Sequence, residues 1–502
     1  MLVPLSIFDE NAQDITVILA HVVAVDETWT TADNEQFVER LKAAASRVVS
    51  KWRVLQGVVK RLENGRWAID VPEEGASIPH NHFGFVTETV DLPYHVASGR
   101  VDSAPPLSSA PSGFFPMPNF PLFRSFEAPV LLAQYEQQQS PFLHIKVTVL
   151  ADAFAIGISL AHGIFDGFGM GLVVQALDAE LNGKAWPFEV PPLFGIEEGN
   201  PVVNTLNSLD EDEAVSAEGG WASEVFDAAR NSDGQTAGDQ PPSMPRFGFL
   251  RKVAVEKLVD EVKEVVKNET GGKDYVSTSD VLTAWLAKAA QAHDRSDAAY
   301  LKLITLFNPR AQLDSYESSS SASSSFSTAS YPLPTYPHNL TLPYDLVSPT
   351  PFTLSRLHDV PLPDLALLLH RGLDAHRSSS AIKSTWRRIA ATEPFPWVSE
   401  WAYDYQRPPS PSAAAPVPLR YSVSNQLGLH FADIHFPGRD DKPLTPLAFH
   451  FAAMAPGQFT NVVALQDVEA GVTFTATLSP EAWKGVEEAI EDLEKKARGD
   501  KV

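Results

Sequence analysis

The stretch SLAHGIFDGFG, residues 159–169, lies where a strand pattern ends and a glycine-rich turn leads into a helix pattern. A histidine at the end of a strand is free of the pairing ladder, so the His162 side chain can project into a cleft. Its neutral imidazole can take up a proton near neutral pH and return it. Asp166, four residues on, can hold the backbone of the turn or tie it to another element. These two residues are the candidate functional pair.

A His–Asp pair at this spacing also arises by chance, and both residues would then be ordinary surface or core positions. The surrounding pattern favours a site instead, because binding and catalytic residues concentrate on loops held by regular elements. The glycines that flank Phe168 would let a ligand or a partner backbone approach closely. We therefore expect this turn to be functional.

Strand and helix patterns alternate outward from this stretch, and they predict an α/β fold. Apolar residues at spacings of three and four predict an amphipathic helix over 33–51, and a run rich in Val and Ile predicts a buried strand over 15–25. An Asn-Gly pair at 64–65 predicts a β-hairpin, because both central turn residues must tolerate positive φ. Two further strands are predicted before the motif, over 142–150 and 154–160.

After a change in composition, the second half of the chain shows the same alternation of strand and helix patterns. Residues 196–245 are acidic and then rich in Gly, Ser, Gln and Pro, which is typical of a linker or crossover. We predict an N-terminal domain over 1–195 that carries the motif, this crossover, and a C-terminal domain over 246–502.

Composition narrows the functional classes. The chain of 502 residues has 39 Lys and Arg against 63 Asp and Glu, and its net charge of −24 argues against nucleic acid or an anionic membrane as a main partner. The absence of cysteine excludes disulfides, thiolate metal sites and a cysteine nucleophile within the chain. No secretory signal is visible, and no apolar run reaches the roughly 18 residues that span a bilayer. A cytoplasmic protein is expected.

SLAHGIFDGFG resembles the HxxxDG motif of the BAHD acyl-CoA-dependent acyltransferases, with a texture closer to fungal members than to plant ones. Segments similar to that family also follow in its order: LSIFDE, LQGVVK, STSDVLTAWLAKA, LFNPRAQL and YPHN, which begin at residues 5, 55, 277, 306 and 336. The resemblance implies two similar chloramphenicol-acetyltransferase-like domains. Each would be a mixed sheet with flanking helices, and the active-site channel would lie between them.

The resemblance also implies roles for single residues. His162 would be the general base that takes the proton of an acceptor hydroxyl or amine. Asp166 would be a structural member of the catalytic set, paired with Arg310, and Gly167 would support the turn. Ser424 matches a position that hydrogen-bonds the oxyanion in many members, a kind of donor typically worth about 3–4 kcal/mol in the transition state. An exposed loop serine and an ordinary surface ion pair remain the alternatives for Ser424 and Arg310.

The second family signature, DFGWG, is altered in this chain. The best match is DIHFP, followed by Gly438, in which Asp433 keeps the leading aspartate while His435 and Pro437 stand where the family has glycines. In the family this loop is a structural support, so the resemblance implies that role for Asp433. The change leaves catalysis possible and puts the loop geometry in question.

We therefore predict an enzyme that transfers an acyl group from acyl-CoA, a co-substrate, to a hydroxyl or amine of a small molecule, a secondary metabolite. No metal and no bound cofactor are implied, a monomer is expected, and the sequence does not identify the coenzyme A contacts. Three alternatives remain open. They are a condensation-type enzyme that uses a carrier-bound thioester, a degenerate member that binds a ligand without catalysis, and a hydrolase that uses His162 with water.

Overall fold

The computed structural model describes residues 1–26, 28–75, 83–99, 107–115, 118–209, 243–294, 299–320, 331–345, 352–391, 417–454 and 462–499. The strands are β1 (Leu2–Pro4), β2 (Thr16–Ala24), β3 (Val58–Arg61), β4 (Trp67–Asp70), β5 (Gly84–Thr89), β6 (Gly113–Phe115), β7 (Leu143–Val149), β8 (Ala153–Ala161), β9 (Met244–Arg251), β10 (Ala299–Phe307), β11 (Leu342–Asp345), β12 (Phe352–Thr353), β13 (Val417–Asn425), β14 (Thr445–Met454), β15 (Val462–Val468) and β16 (Gly471–Leu478). The helices are α1 (Ile7–Asn11), α2 (Thr31–Lys51), α3 (Tyr94–Ala97), α4 (Leu132–Gln138), α5 (Gly167–Leu181), α6 (Pro201–Ser208), α7 (Lys252–Glu269), α8 (Thr278–Ala290), α9 (Arg310–Ser320), α10 (Leu354–Asp359), α11 (Leu362–His376), α12 (Ser379–Ala391) and α13 (Pro480–Arg498).

The first sheet positions the HxxxDG turn. Within the described residues its strand order is β14-β2-β8-β7-β5, and only β5 and β7 run parallel. Helices α2 and α5 pack together over one face of this sheet. Helix α2 begins at the capping box of Thr30 and Asp33 and buries the apolar face that the sequence spacing predicts, with Phe37, Leu41 and Val48 in the core.

The second sheet forms most of the C-terminal half. Its strand order in the described chain is β11-β10-β13-β15-β16-β9-β6, with β12 also on β10, and both parallel and antiparallel pairs occur. Helices α7, α8 and α13 contact one another beside it. Trp483 of α13 is buried and donates from its indole Nε1 to the Met244 carbonyl at 2.6 Å. The fold is therefore α/β with two mixed sheets and flanking helices, as the sequence predicts, and β1, β4 and β3 form an additional small antiparallel sheet.

The two sheets exchange strands. Strand β14, from the C-terminal half, pairs antiparallel with β2 of the first sheet from Thr445 opposite Ala24 to Met454 opposite Thr16. Strand β6, from the N-terminal half, pairs with β9 of the second sheet. Part of the predicted crossover, helix α6, is also packed into the core through Val202 and Leu206. The domain boundaries stay a prediction, and the strand pairing crosses them.

The sequence contains no candidate bilayer-spanning run, and no helix in the described ranges combines the length and apolarity needed to cross a membrane.

Besides His162, three histidines in the described part of the chain have a pKa that burial lowers. His21 contacts the Phe436 and Phe449 rings. Burial lowers its pKa to about 3, and the neighbouring His450 lowers it further. Burial also lowers the pKa of His144 and that of His338 to about 4. Each side chain titrates near 6.5 when unfolded. The unfolded chain therefore binds more protons than the folded chain between pH 6.5 and about 4.

The free energy of unfolding should fall as the pH is lowered through this window. Burial raises the pKa of Asp9 to about 6, so this carboxyl binds a proton on the folded side and offsets about one of the three histidine protons. A net uptake of about two protons predicts a loss of about 3 kcal/mol per pH unit near pH 5. Urea unfolding at pH 7, 6 and 5 and constant ionic strength measures it. In His21→Gln, the net proton uptake on unfolding should be smaller by about one. A free energy of unfolding that does not change with pH would contradict the assignment of these pKa values.

Candidate active site

His162 directly follows strand β8, at the end of the first sheet. Its backbone N–H donates to the Ile15 carbonyl at 2.9 Å, which holds the residue beside β2. On its side chain, Nδ1 lies 3.1 Å from Oδ1 of Asn339, and Asn339 Nδ2 donates back to the His162 carbonyl at 2.6 Å. Burial lowers the pKa of His162, and hydrogen bonds to its own backbone and to Asn339 partly oppose this shift. The imidazole is therefore a neutral group able to accept a proton.

Asp9 lies behind Asn339 and is fully buried. Its Oδ1 accepts from the Asn339 backbone N–H at 2.8 Å and from Asn339 Nδ2 at 3.0 Å. Its Oδ2 accepts from the backbone N–H and the hydroxyl of Ser6, both at 2.8 Å. Burial raises the pKa of Asp9 to about 6, against the lowering effect of these hydrogen bonds. Four donors thus hold a carboxylate that has no access to water.

Asp166 begins helix α5 as its N-cap residue. Its Oδ1 accepts from the Gly169 N–H at 3.0 Å, which satisfies one of the free donors of the first helical turn. Its Oδ2 accepts from Arg310 Nη2 at 2.8 Å and from the Leu340 N–H at 3.0 Å. The side chain is 1% exposed, so the whole carboxylate is engaged in contacts that hold the turn.

Arg310 lies at the start of helix α9 and is 3% exposed. Besides the bond to Asp166, it donates from Nε to the Tyr336 carbonyl at 2.9 Å and from Nη2 to the His338 carbonyl at 2.6 Å. The guanidinium also lies 4.7 Å from the centre of the Phe168 ring. The structure therefore brings Arg310 and Asp166 together as a buried ion pair. The alternative interpretation of Arg310, an ordinary ion pair on the surface, does not apply.

The segment 336–340 connects these groups. Its carbonyls accept from Arg310, its Leu340 N–H donates to Asp166, and its Asn339 side chain holds His162. It can lie against helix α5 because position 169 is glycine, where a Cβ atom would come within 1.8 Å of the Pro337 carbonyl oxygen. The sequence motif thus requires a glycine at this contact for a steric reason.

Ser424 lies on strand β13 of the second sheet. Its Oγ accepts from Gln426 Nε2 at 3.1 Å, and Gln426 Oε1 in turn accepts from Gln466 Nε2 at 3.0 Å. The hydroxyl proton of Ser424 remains available for donation. In the described chain no hydrogen bond of Ser424 leads to His162, so the structure places the two residues in separate networks.

The chain beyond β13 nevertheless approaches the HxxxDG turn. A Cβ atom on Gly167, the first residue of α5, would lie 2.9 Å from Leu429 Cδ1. Phe431, two residues further, is buried in the common core. Gly167 therefore allows the C-terminal half to pack directly on the start of α5.

The altered second signature is anchored to the other end of α5. The His435 N–H donates to Asp178 Oδ1 at 2.7 Å, and Asn182 Nδ2 donates to the His435 carbonyl at 2.9 Å. Asp433 is exposed, and its carboxylate contacts His430 Nδ1 at 2.7 Å, three residues earlier in the chain. Neither His435 nor Pro437 has a positive φ, so the backbone here does not require the glycines of the family pattern.

Sequence reasoning missed Asp9 and Asn339 as site residues. Both lie in segments that resemble the family, LSIFDE and YPHN, but the resemblance carried no role for them. Their positions are 330 residues apart in the chain, so no local pattern could join them. Among the described residues no three His, Asp or Glu side chains converge in a way that could hold a metal ion, and the absence of a metal stays a prediction.

Comparisons with known proteins agree with this geometry. Residues 114–326 match the Transferase family. The chain is 25% identical over 296 residues to the transcriptional regulator calD of Penicillium decumbens, and 28% identical over 159 residues to the acetyltransferase adrJ of Penicillium roqueforti. These matches cover 56% and 30% of this chain, and only 56% and 31% of the two relatives.

The fold itself is shared over almost the whole chain with a solved structure. TRI101 of F. sporotrichioides, crystallised with coenzyme A and T-2, superposes with a TM-score of 0.62 at 15% identity, over 99% of this chain and 98% of that one. The two-domain α/β fold predicted from the sequence is confirmed. The family resemblance predicted from the HxxxDG motif is confirmed by the Transferase family match over residues 114–326 and by the similarity to a fungal acetyltransferase.

Proposed function

We propose that this protein transfers an acyl group from acyl-CoA to a hydroxyl or amine of a small-molecule acceptor. The observation that carries the proposal is the half-buried, neutral His162, whose Nδ1 faces Asn339 and whose Nε2 is the ring nitrogen left to act as a base. Two relatives support the substrate classes, because adrJ is an acetyltransferase and TRI101 was crystallised with coenzyme A and T-2. The acceptor would be a secondary metabolite.

The reaction needs one proton to move to the enzyme and back. Nε2 of His162 takes the proton of the acceptor hydroxyl or amine as that oxygen or nitrogen attacks the thioester carbonyl. The resulting tetrahedral oxyanion collapses, the carbon–sulfur bond breaks, and the imidazolium returns its proton to the sulfur. Coenzyme A leaves as the free thiol, and no covalent enzyme intermediate forms. Coenzyme A is a co-substrate in this scheme.

The other predicted residues have supporting roles. Asp166 and Arg310 hold the turn and the 336–340 segment in place, and Gly167 lets the C-terminal half pack on that turn. Ser424 has a free hydroxyl proton for the oxyanion, a donor of a kind that contributes about 3–4 kcal/mol when aligned. Asp433 belongs to the loop that supports the far end of α5. We further propose that the protein acts as a cytoplasmic monomer.

A thiol-release assay tests the proposed function. The wild-type protein is incubated with a panel of acyl-CoA thioesters and small alcohols or amines, and free thiol is followed together with the mass of the acceptor. Thiol release that depends on the acceptor and yields an acylated acceptor supports acyl transfer. Thiol release without acceptor modification indicates hydrolysis. No release with any pair would overturn the proposal, and an acyl carrier protein in the panel tests the condensation-type alternative.

A second candidate function is ligand binding without catalysis. It is favoured by the loss of both glycines at His435 and Pro437 and by the relative calD, which is a transcriptional regulator. Saturable binding of coenzyme A with no turnover across the panel would support it. Turnover that disappears in His162→Ala would exclude it.

A further inference from the structure

Asp9 is a buried carboxylate that the proposed reaction does not use directly. It lies in the first helix of the chain, α1, and a single side-chain amide, that of Asn339, separates it from His162. A buried carboxylate is costly unless its hydrogen bonds are satisfied, and four donors satisfy this one. Such an arrangement needs a reason beyond packing.

The contacts determine which way the Asn339 amide points. Its Nδ2 lies 3.0 Å from Asp9 Oδ1 and 2.6 Å from the His162 carbonyl oxygen, and both of these atoms only accept hydrogen bonds. That corner of the amide must therefore be the NH₂ group. The amide oxygen, an acceptor, is then the atom that faces His162 Nδ1 at 3.1 Å.

The orientation of the Asn339 amide determines which tautomer the His162 imidazole adopts. An oxygen opposite Nδ1 requires that Nδ1 carry the hydrogen and donate it. A neutral imidazole has only one N–H, so Nε2 keeps its lone pair. We infer that Asp9 is a positioning residue that selects the His162 tautomer with a bare Nε2 by orienting Asn339. The inference rests on the proposed function in one respect, namely that Nε2 is the base.

An asparagine at position 9 should lose this control although its shape is the same. If its NH₂ group faces Asn339, the Asn339 backbone N–H loses its acceptor, and the Asn339 amide reverses and presents its own NH₂ group to Nδ1. The hydrogen of His162 then moves to Nε2, which can no longer accept a proton. If its NH₂ group faces Ser6 instead, the Ser6 backbone N–H loses its acceptor, and the Asn339 amide is held by a neutral oxygen, which is a weaker acceptor than a carboxylate. Because a general base contributes about 10²- to 10⁴-fold, we expect kcat of Asp9→Asn to fall at least about 100-fold with KM within about threefold.

The tautomer itself can be measured without any activity. In protein labelled with ¹⁵N-histidine, a ring nitrogen that carries hydrogen and one that does not have well-separated chemical shifts, and a spectrum of His162→Gln assigns the His162 pair. We expect hydrogen on Nδ1 in the wild type and on Nε2 in Asp9→Asn. If the backbone carbonyl of His162 alone set the tautomer, Asp9→Asn would leave the spectrum unchanged, and that result would overturn the inference.

The chain offers a matched control in Asp280. This aspartate is also buried and forms the same capping box at the start of α8, where its Oδ2 accepts from the backbone N–H of Ser277 at 2.8 Å and from its hydroxyl at 2.7 Å. Asp280→Asn should leave the His162 tautomer and kcat unchanged. If both variants lost kcat equally, the loss in Asp9→Asn would be explained by lower stability of the fold, and the inference would be overturned.

Two further outcomes are separable. If Asp9→Asn does not fold, Asn339→Ala carries the test, because the ring then loses its side-chain acceptor, keeps only the contact to its own backbone, and should populate both tautomers. An unmixed Nδ1–H form in that variant would overturn the inference. If the wild type transfers no acyl group with any substrate pair but the spectra change as expected, the proposed function fails while the role of Asp9 in setting the tautomer stands.

Discussion

Replacing His162 by alanine should lower kcat of acyl transfer by about 10²- to 10⁴-fold, the contribution of a positioned general base. The variant removes the imidazole whose Nδ1 is held by Asn339 and whose Nε2 would take the acceptor proton. The Asn339 and Asp9 side chains keep their mutual hydrogen bonds, so the fold should persist. Initial rates of thiol release at saturating acyl-CoA and acceptor measure the effect.

A surface histidine provides the control for this substitution. His293 is 38% exposed, and its Nε2 lies 3.1 Å from Glu488. His293→Ala should retain the wild-type rate. A His162→Ala protein that is folded and as active as the wild type would rule out the general-base role of this residue.

Arg310→Met should lower the free energy of unfolding by about 3–5 kcal/mol, the cost of leaving a buried charge without its partner. Asp166 is 1% exposed and would lose the cation that pairs with it, while the Tyr336 and His338 carbonyls would lose a donor. The methionine fills most of the vacated volume, so the loss reports on charge and hydrogen bonding more than on a cavity. Urea unfolding at pH 7 measures it.

Two variants test the origin of this loss. The double variant Asp166→Asn with Arg310→Met removes both charges and should recover part of the stability, because no unpaired carboxylate is then buried. Arg371→Met breaks a half-exposed ion pair with Asp274 and should cost less than about 1 kcal/mol. If Arg310→Met costs no more than Arg371→Met, the buried pair does not stabilise the turn as argued.

Local patterns in the sequence predicted most elements of the N-terminal half. The helix predicted over 33–51 is observed over Thr31–Lys51, because its apolar stripe and its N-terminal capping residues are both encoded within one segment. The hairpin predicted around residues 64–65 is formed by β3 and β4, with Gly65 at φ 82°. The position of His162 after a strand followed in the same way from the alternation that ends at Leu160.

Other features depend on contacts that no local pattern carries. The pairing of β14 with β2 joins segments separated by most of the chain, and periodicity shows that a strand exists without showing its neighbour. The contact between Asn339 and Asp9 is a single hydrogen bond between a side-chain amide and a carboxylate. Asn and Asp also commonly cap helices and turns, so the sequence around either residue gives no sign of this contact. The altered signature put the loop geometry in question, and the sequence alone could not show that Asp178 and Asn182 hold the backbone of His435 without a positive φ.

The strand exchange has a consequence for the order in which the protein is made. During synthesis from the N-terminus, β2 emerges early, yet the strand that covers its outer edge, β14, ends only at Met454. Until then the nascent first sheet presents a nine-residue run of unpaired backbone groups, a template for association with other chains. The first sheet can therefore be completed only after nearly the whole polypeptide has been synthesised. We expect truncated versions that end before β14 to aggregate, and production of the intact chain to benefit from chaperones that shield this edge.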